Sequence, residues 1–127
     1  MSHITEMKTN IAFKAQGILA EALDACAAMR TGCTIRYDEK DRRYTVQWGE
    51  LQAYRANALT FVWREEDGAY VTEGDTFLVR DEIRGFLDDL QVAYQQTAVS
   101  KWMRTNRFAA PAVERRGQEV VMTARRW

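Results

Sequence analysis

Apolar and polar positions along this chain alternate, switch to steps of three and four, and then alternate again. Residues 2–11 alternate His3, Thr5 and Met7 against Ile4, Glu6 and Lys8, which predicts a short strand. Over residues 12–30 the period changes. Ala15, Ile18, Leu19, Ala22, Leu23, Cys26 and Met29 recur at helical spacing, with Lys14, Gln16, Glu21 and Asp24 on the other side. Gly32 stands where a helix C-cap is expected. Gly17 inside this helix costs up to about 1 kcal/mol relative to alanine, which points to close packing there.

Ile35 and Tyr37 share a parity, as do Tyr44, Val46 and Trp48, and the charged stretch 38–43 separates the two runs. That pattern predicts a hairpin with one apolar face. Residues 51–57 form a connection. Leu59, Phe61 and Trp63 alternate again, Glu66, Asp67 and Gly68 predict a turn, residues 69–71 return, and residues 72–75 read as a polar loop. Helical spacing resumes over residues 76–108 through Val79, Ile83, Phe86, Leu87, Leu90, Tyr94, Ala98, Val99, Trp102 and Met103. The pattern fits one helix, or two broken near Gly85 or after Tyr94. Pro111 stops it. A last hairpin is expected from residues 112–115, a turn at Arg116 and Gly117, and residues 119–125, where Val120, Met122 and Ala124 alternate with Val121, Thr123 and Arg125.

Strands set apart from helices predict an α+β fold, one domain over residues 1–127, with two main helices packed mainly on one face of an antiparallel sheet. The order also fits two β-α-β-β halves, although no residue-level repeat supports a duplication. A doubly wound parallel sheet is excluded, because alternating crossovers are missing.

Composition narrows the class further. The chain has 127 residues, 46% of them apolar and 11% aromatic, enough for a sizeable core. No apolar run approaches the roughly 18–20 residues that span a bilayer, and no secretory signal pattern opens the chain. The expectation is a cytoplasmic protein without a membrane. Cys26 and Cys33 cannot make the disulfide framework of a small secreted protein. Charge sums to zero, with 18 basic and 18 acidic residues, but it is unevenly spread. Residues 65–89 carry 9 acidic side chains against Arg80 and Arg84, whereas residues 90–127 carry 7 basic ones against Glu114 and Glu119. Such a chain reads as solvated faces of one domain, or as a polar molecule suited to a charged partner.

Catalytic patterns are missing. His3 is the only histidine, and with two cysteines it cannot complete a four-ligand zinc site. Cys26 and Cys33 read as small core residues. The glycines are isolated, so no phosphate loop is built. Asp88 and Asp89 are helix neighbours that point to different sides. The expectation is therefore no catalytic residue, no metal, no cofactor and no enzyme. What remains is a basic patch: Lys101, Arg104 and Arg107 at steps of three, and Arg125, Arg126 and Trp127 at the close. These six are the candidate partner-binding residues. Basic side chains with aromatics also suit nucleic acid, although a pI near 6.6 lacks the strongly basic footprint. Trp102 falls in the helical stripe and is expected in the core, as are Trp48 and Trp63.

Three stretches resemble a known family. Residues 1–9 open with Met1, Ser2 and His3 and reach Lys8 and Thr9 before the first helix. Residues 61–70 run from Phe61 through an acidic-glycine turn to Tyr70. Residues 90–94 and 117–127 supply Leu90 to Tyr94 and the closing valine-rich run that ends in Arg126 and Trp127. The chain is similar to the small proteins of cyanobacteria, algal plastids and other bacteria numbered twelve fifty-seven among the domains of unknown function. It departs from them at residues 71–77, where the family carries a tryptophan-rich stretch, and in lacking the usual glycine at the helix end. The resemblance implies no catalytic residues. It implies company, an AAA-type ATPase and another very small partner. The functional expectation is a non-enzymatic binding or adaptor module, a subunit or accessory factor of a protein complex such as one with an AAA-type ATPase. A homo-oligomer is compatible with it. The alternative is a nucleic-acid-associated protein using the C-terminal basic patch, and a third reading is an enzyme or small-ligand binder with an unfamiliar site.

Overall fold

The computed structural model describes residues 4–7, 9, 11–48, 59–75, 80–106, 112–117 and 119–123. The elements follow in the order β1 (Ile4–Met7), α1 (Gln16–Ala28), β2 (Cys33–Asp38), β3 (Arg43–Trp48), β4 (Leu59–Arg64), β5 (Ala69–Asp75), α2 (Arg80–Thr105), β6 (Ala112–Arg116) and β7 (Glu119–Thr123). This is an α+β fold. Strands β1 to β5 make one antiparallel sheet in the order β1-β5-β4-β3-β2, and β6 pairs with β7 in a separate hairpin. The two expected β-α-β-β halves therefore do not form matching sheets, because β1 crosses to the far edge and joins β5 in a five-stranded sheet while β6 and β7 pair alone.

That crossing changes two expected boundaries. Residues 72–75, read as a polar loop, extend β5 to Asp75, since β1 supplies partners as far as Ile4 opposite Asp75. Unbroken register would then put Thr9 opposite Tyr70. Phe13 stands there instead, and the Tyr70 N–H donates to the Phe13 carbonyl at 2.8 Å. Helix α1 accordingly starts at Gln16 rather than at residue 12. Ala15 has no capping side chain of its own, and its N–H donates to the Tyr94 hydroxyl at 3.0 Å. At the other end Met29 is the C-cap, and Gly32, three residues further on, takes φ +70° in the turn onto β2 rather than capping the helix as expected.

Cross-strand register sorts the sheet side chains into two faces. Ile35, Val46 and Leu59 share one row, and Tyr37, Tyr44, Phe61 and Thr72 share the next. On this same face both helices pack. Leu19, Leu23 and Cys26 of α1, Ile83, Phe86, Leu87, Leu90 and Tyr94 of α2, and Val46, Leu59 and Phe61 form one buried cluster. Phe13 joins it edge-on, its ring centroid 5.9 Å from Phe61 and 5.1 Å from Tyr94. Arg30 ties the helices together: Nη2 donates to Asp89 at 2.7 Å, Nη1 to the Cys26 carbonyl at 3.2 Å, and the guanidinium lies 5.0 Å from the Phe86 ring centroid.

Helix α2 is a single helix of 26 residues, with no break at Gly85 or after Tyr94. A Cβ added to Gly85 would meet nothing within 4 Å, and the same holds at Gly17, so the close packing expected there is absent. Val92 and Met103 are buried yet stand outside the main cluster, on the opposite side of α2 from Ile83 and Tyr94. Strand β7 packs against α2. Among the described residues no helix is long and apolar enough to cross a membrane.

Candidate functional sites

Lys101 and Arg104 lie on the side of α2 that continues the Ile83–Leu90–Tyr94 stripe, beyond the end of the apolar core. They face α1 there. Lys101 Nζ pairs with Glu21 Oε2 at 3.0 Å, and Arg104 lines a cleft of about 490 Å³ with Glu21, Asp24, Gln96, Thr97 and Ser100. The sequence suggested a freely presented basic face, whereas Lys101 is committed to an acidic partner on the neighbouring helix. Arg107, Arg125, Arg126 and Trp127 lie outside the described residues, as do the side chains of β7. Trp102 corrects an expectation. It is 58% exposed rather than in the core, because Met103 takes the buried position one residue on. Trp63 is half-buried against the core as expected, and the side chain of Trp48 lies outside the described residues.

At the hairpin end of the sheet the aromatic side chains gather. Tyr37 and Tyr44 stack at 4.4 Å, Tyr44 lies 5.6 Å from Tyr70, and Trp63 meets Tyr70 edge-on at 5.2 Å. Arg42 covers the Trp63 ring at 4.3 Å, and Trp63 Nε1 donates to Glu65 Oε1 at 3.0 Å. Arg42 sits at φ +48°, and its carbonyl accepts the Trp63 N–H at 3.1 Å, which fixes the turn onto β4. Tyr70 is buried, and among the described residues its hydroxyl has no partner at hydrogen-bond geometry, although Tyr37 and Arg42 lie beside it. Burial, with Tyr37 alongside, pushes its phenol up to about 12. Burial also raises Tyr44, an effect opposed by Gln16, and raises the Cys33 thiol, opposed by the charge of Arg30. Cys26 and Cys33 are both free thiols, Cys26 buried and Cys33 half-buried. Among the described residues no three metal-ligating side chains cluster.

The opposite face of the sheet carries polar side chains beside Val62 and Val71. Arg36, Thr45, Thr60 and Glu73 stand in one row across β2, β3, β4 and β5, with Asp38 and Arg43 paired in the next. A cavity of about 970 Å³ lies over them, reached also by Lys40. Its carboxylates are partly committed: Glu73 accepts from Arg64 at 2.8 Å, and Asp38 Oδ1 accepts the N–H groups of Lys40 and Asp41 at 3.0 and 3.2 Å. Arg36, Lys40 and Arg43 make no ion pair among the described residues. Sequence reading missed this set, having treated residues 38–43 only as a separator. The signal was the off-phase half of the alternation, Arg36 between Ile35 and Tyr37, and Arg43 and Thr45 flanking Tyr44.

Fold and site together define an α+β domain with helices on one sheet face and a cavity lined by charged and polar residues on the other. No family model, curated protein or solved structure matches the chain.

Proposed function

We propose that this protein is a non-enzymatic binding or adaptor module that docks on a protein complex through the C-terminal end of α2. The observation that carries this reading is Trp102, a large aromatic side chain 58% exposed on a helix two residues from the exposed Arg104. Tryptophan and arginine are the residue types most enriched at binding hot spots. Arg107, Arg125, Arg126 and Trp127 are further candidates from the sequence, and the family resemblance points to an AAA-type ATPase as the partner.

The nucleic-acid alternative draws on the same residues with less support. Lys101 is paired with Glu21, so the basic patch presents less free charge to phosphates. Affinity purification from native lysate, with and without nuclease, separates the two. An AAA-type ATPase subunit retained after nuclease, and lost with the double variant Trp102→Ala, Arg104→Ala at unchanged melting temperature, is the expected result. Partners that disappear with nuclease, and binding that falls steeply with added salt, would overturn it.

A further inference from the structure

We infer that two copies of this chain pair through the free edge of the sheet, β2 against β2, antiparallel about Ile35. The backbone is the first observation. Trp63 N–H donates to the Arg42 carbonyl, and bonding along an antiparallel ladder alternates. Tyr44 and Val46 therefore bond to β4, and Arg43, Thr45 and Gln47 bond to Asp38, Arg36 and Thr34 of β2. The N–H and C=O groups of Cys33, Ile35 and Tyr37 are left pointing away from the sheet, and no described strand lies beyond them. This edge is not blunted. Its register with β3 is unbroken from Cys33 to Asp38, it holds no proline, and its charges, Arg36 and Asp38, stand on the outer face.

Side chains say what covers it. Cys33, Ile35 and Tyr37 lie on the helix side, packed against the core yet only half-buried. Met29, where α1 ends beside β2, is 67% exposed. A second copy completes this margin from its own sequence. Pairing about Ile35 sets Ile35 opposite Ile35 of the second copy, and Cys33 opposite Tyr37 on either side of it. Apolar then meets apolar on the helix side, and each of these pairs exchanges two backbone hydrogen bonds. On the outer face Arg36 falls opposite Thr34 of the second copy, with Gln47 one strand further, so each guanidinium meets neutral acceptors. A slip of one residue would set Arg36 against the apolar row, and a slip of two would set it against itself, like charge against like. The chain carries 18 basic and 18 acidic residues, so two copies approach without net repulsion.

Sedimentation velocity on the full chain over a range of concentrations tests this. A reversible shift from the 14.7 kDa chain to twice that mass is expected. Ile35→Lys sets like charges opposite each other at the axis and should weaken dimerisation about tenfold or more, with the far-ultraviolet circular dichroism spectrum unchanged. Trp102→Ala, on α2, should leave the equilibrium as it is, so this edge and the docking surface fail or succeed separately. In the unaltered chain, hydrogen exchange at the Ile35 and Tyr37 amides should slow as concentration rises. The Thr34 and Arg36 amides, already bonded to β3, should change less. A chain that stays monomeric at every concentration overturns the proposal and leaves the edge to a different extended partner. So does a dimer that Ile35→Lys leaves intact, and so does one in which the Ile35 and Tyr37 amides exchange as fast as in the monomer.

Discussion

Tyr70 concentrates a residue-scale problem: a phenol packed among Tyr44, Trp63 and the turn of β3, with its hydroxyl buried and unpartnered. Its pKa is raised from the usual value to about 12, because burial disfavours the phenolate. The folded state therefore holds this proton more tightly than the unfolded chain, so the contribution to stability is full below about pH 10 and falls as pH rises toward about 12. Tyr70→Phe should flatten that alkaline loss in urea denaturation run at several pH values. At neutral pH it should leave stability unchanged or slightly higher, since no hydrogen bond is removed. A second residue, Arg30, combines a half-buried ion pair with Asp89 and a contact with the Phe86 ring. Arg30→Ala is expected to cost about 1–2 kcal/mol, with the larger part surviving at high salt because packing over the ring is not screened. Denaturation midpoints at low and high salt measure both parts.

Element by element, helix α2 shows what its sequence encodes. Asp81 and Glu82 occupy its first turn and Arg104 its last, each opposite in sign to the helix dipole at that end. Gly85 is exposed in its interior with nothing for a methyl group to meet, so Gly85→Ala should stabilise the protein by up to about 1 kcal/mol in thermal denaturation. Element order was legible in the sequence because a period of two and a period near 3.6 are distinct, and that distinction located both helices and the hairpins β2–β3 and β4–β5. Trp102 was not legible. Helix α2 buries Ile83 and Tyr94 on one side and Val92 and Met103 on the other, so apolar residues run almost around it and blur any single stripe. Nor was the row Arg36–Thr45–Thr60–Glu73, since pairing across four strands is set by long-range register rather than by local spacing.

For the whole molecule, those two buried sides make α2 a middle layer, with α1 and the sheet on one side. The β6–β7 hairpin is the described element that packs on it outside that core, through β7. If the hairpin is what covers Met103, Met103→Ala should cost about 2–3 kcal/mol in the full chain and little in a chain ending at residue 106. Equal cost in both would contradict this layering. Trp127, a candidate partner-binding residue, lies outside the described residues. Its place after β7 nevertheless joins it in sequence to this outer layer.

The edge pairing of β1 with β5 also sets an order of events in time. Strands β2 to β5 follow one another and pair with their nearest neighbours in sequence, so the meander closes short loops. Of the described strands β1 is made before the others, yet Ile4 must wait for Asp75 and Phe13 for Tyr70. Until they appear β1 has no partner in this sheet, and until β1 docks the edge of β5 is open to any other extended segment. Within the five-stranded sheet the strand made earliest is thus the last to be placed.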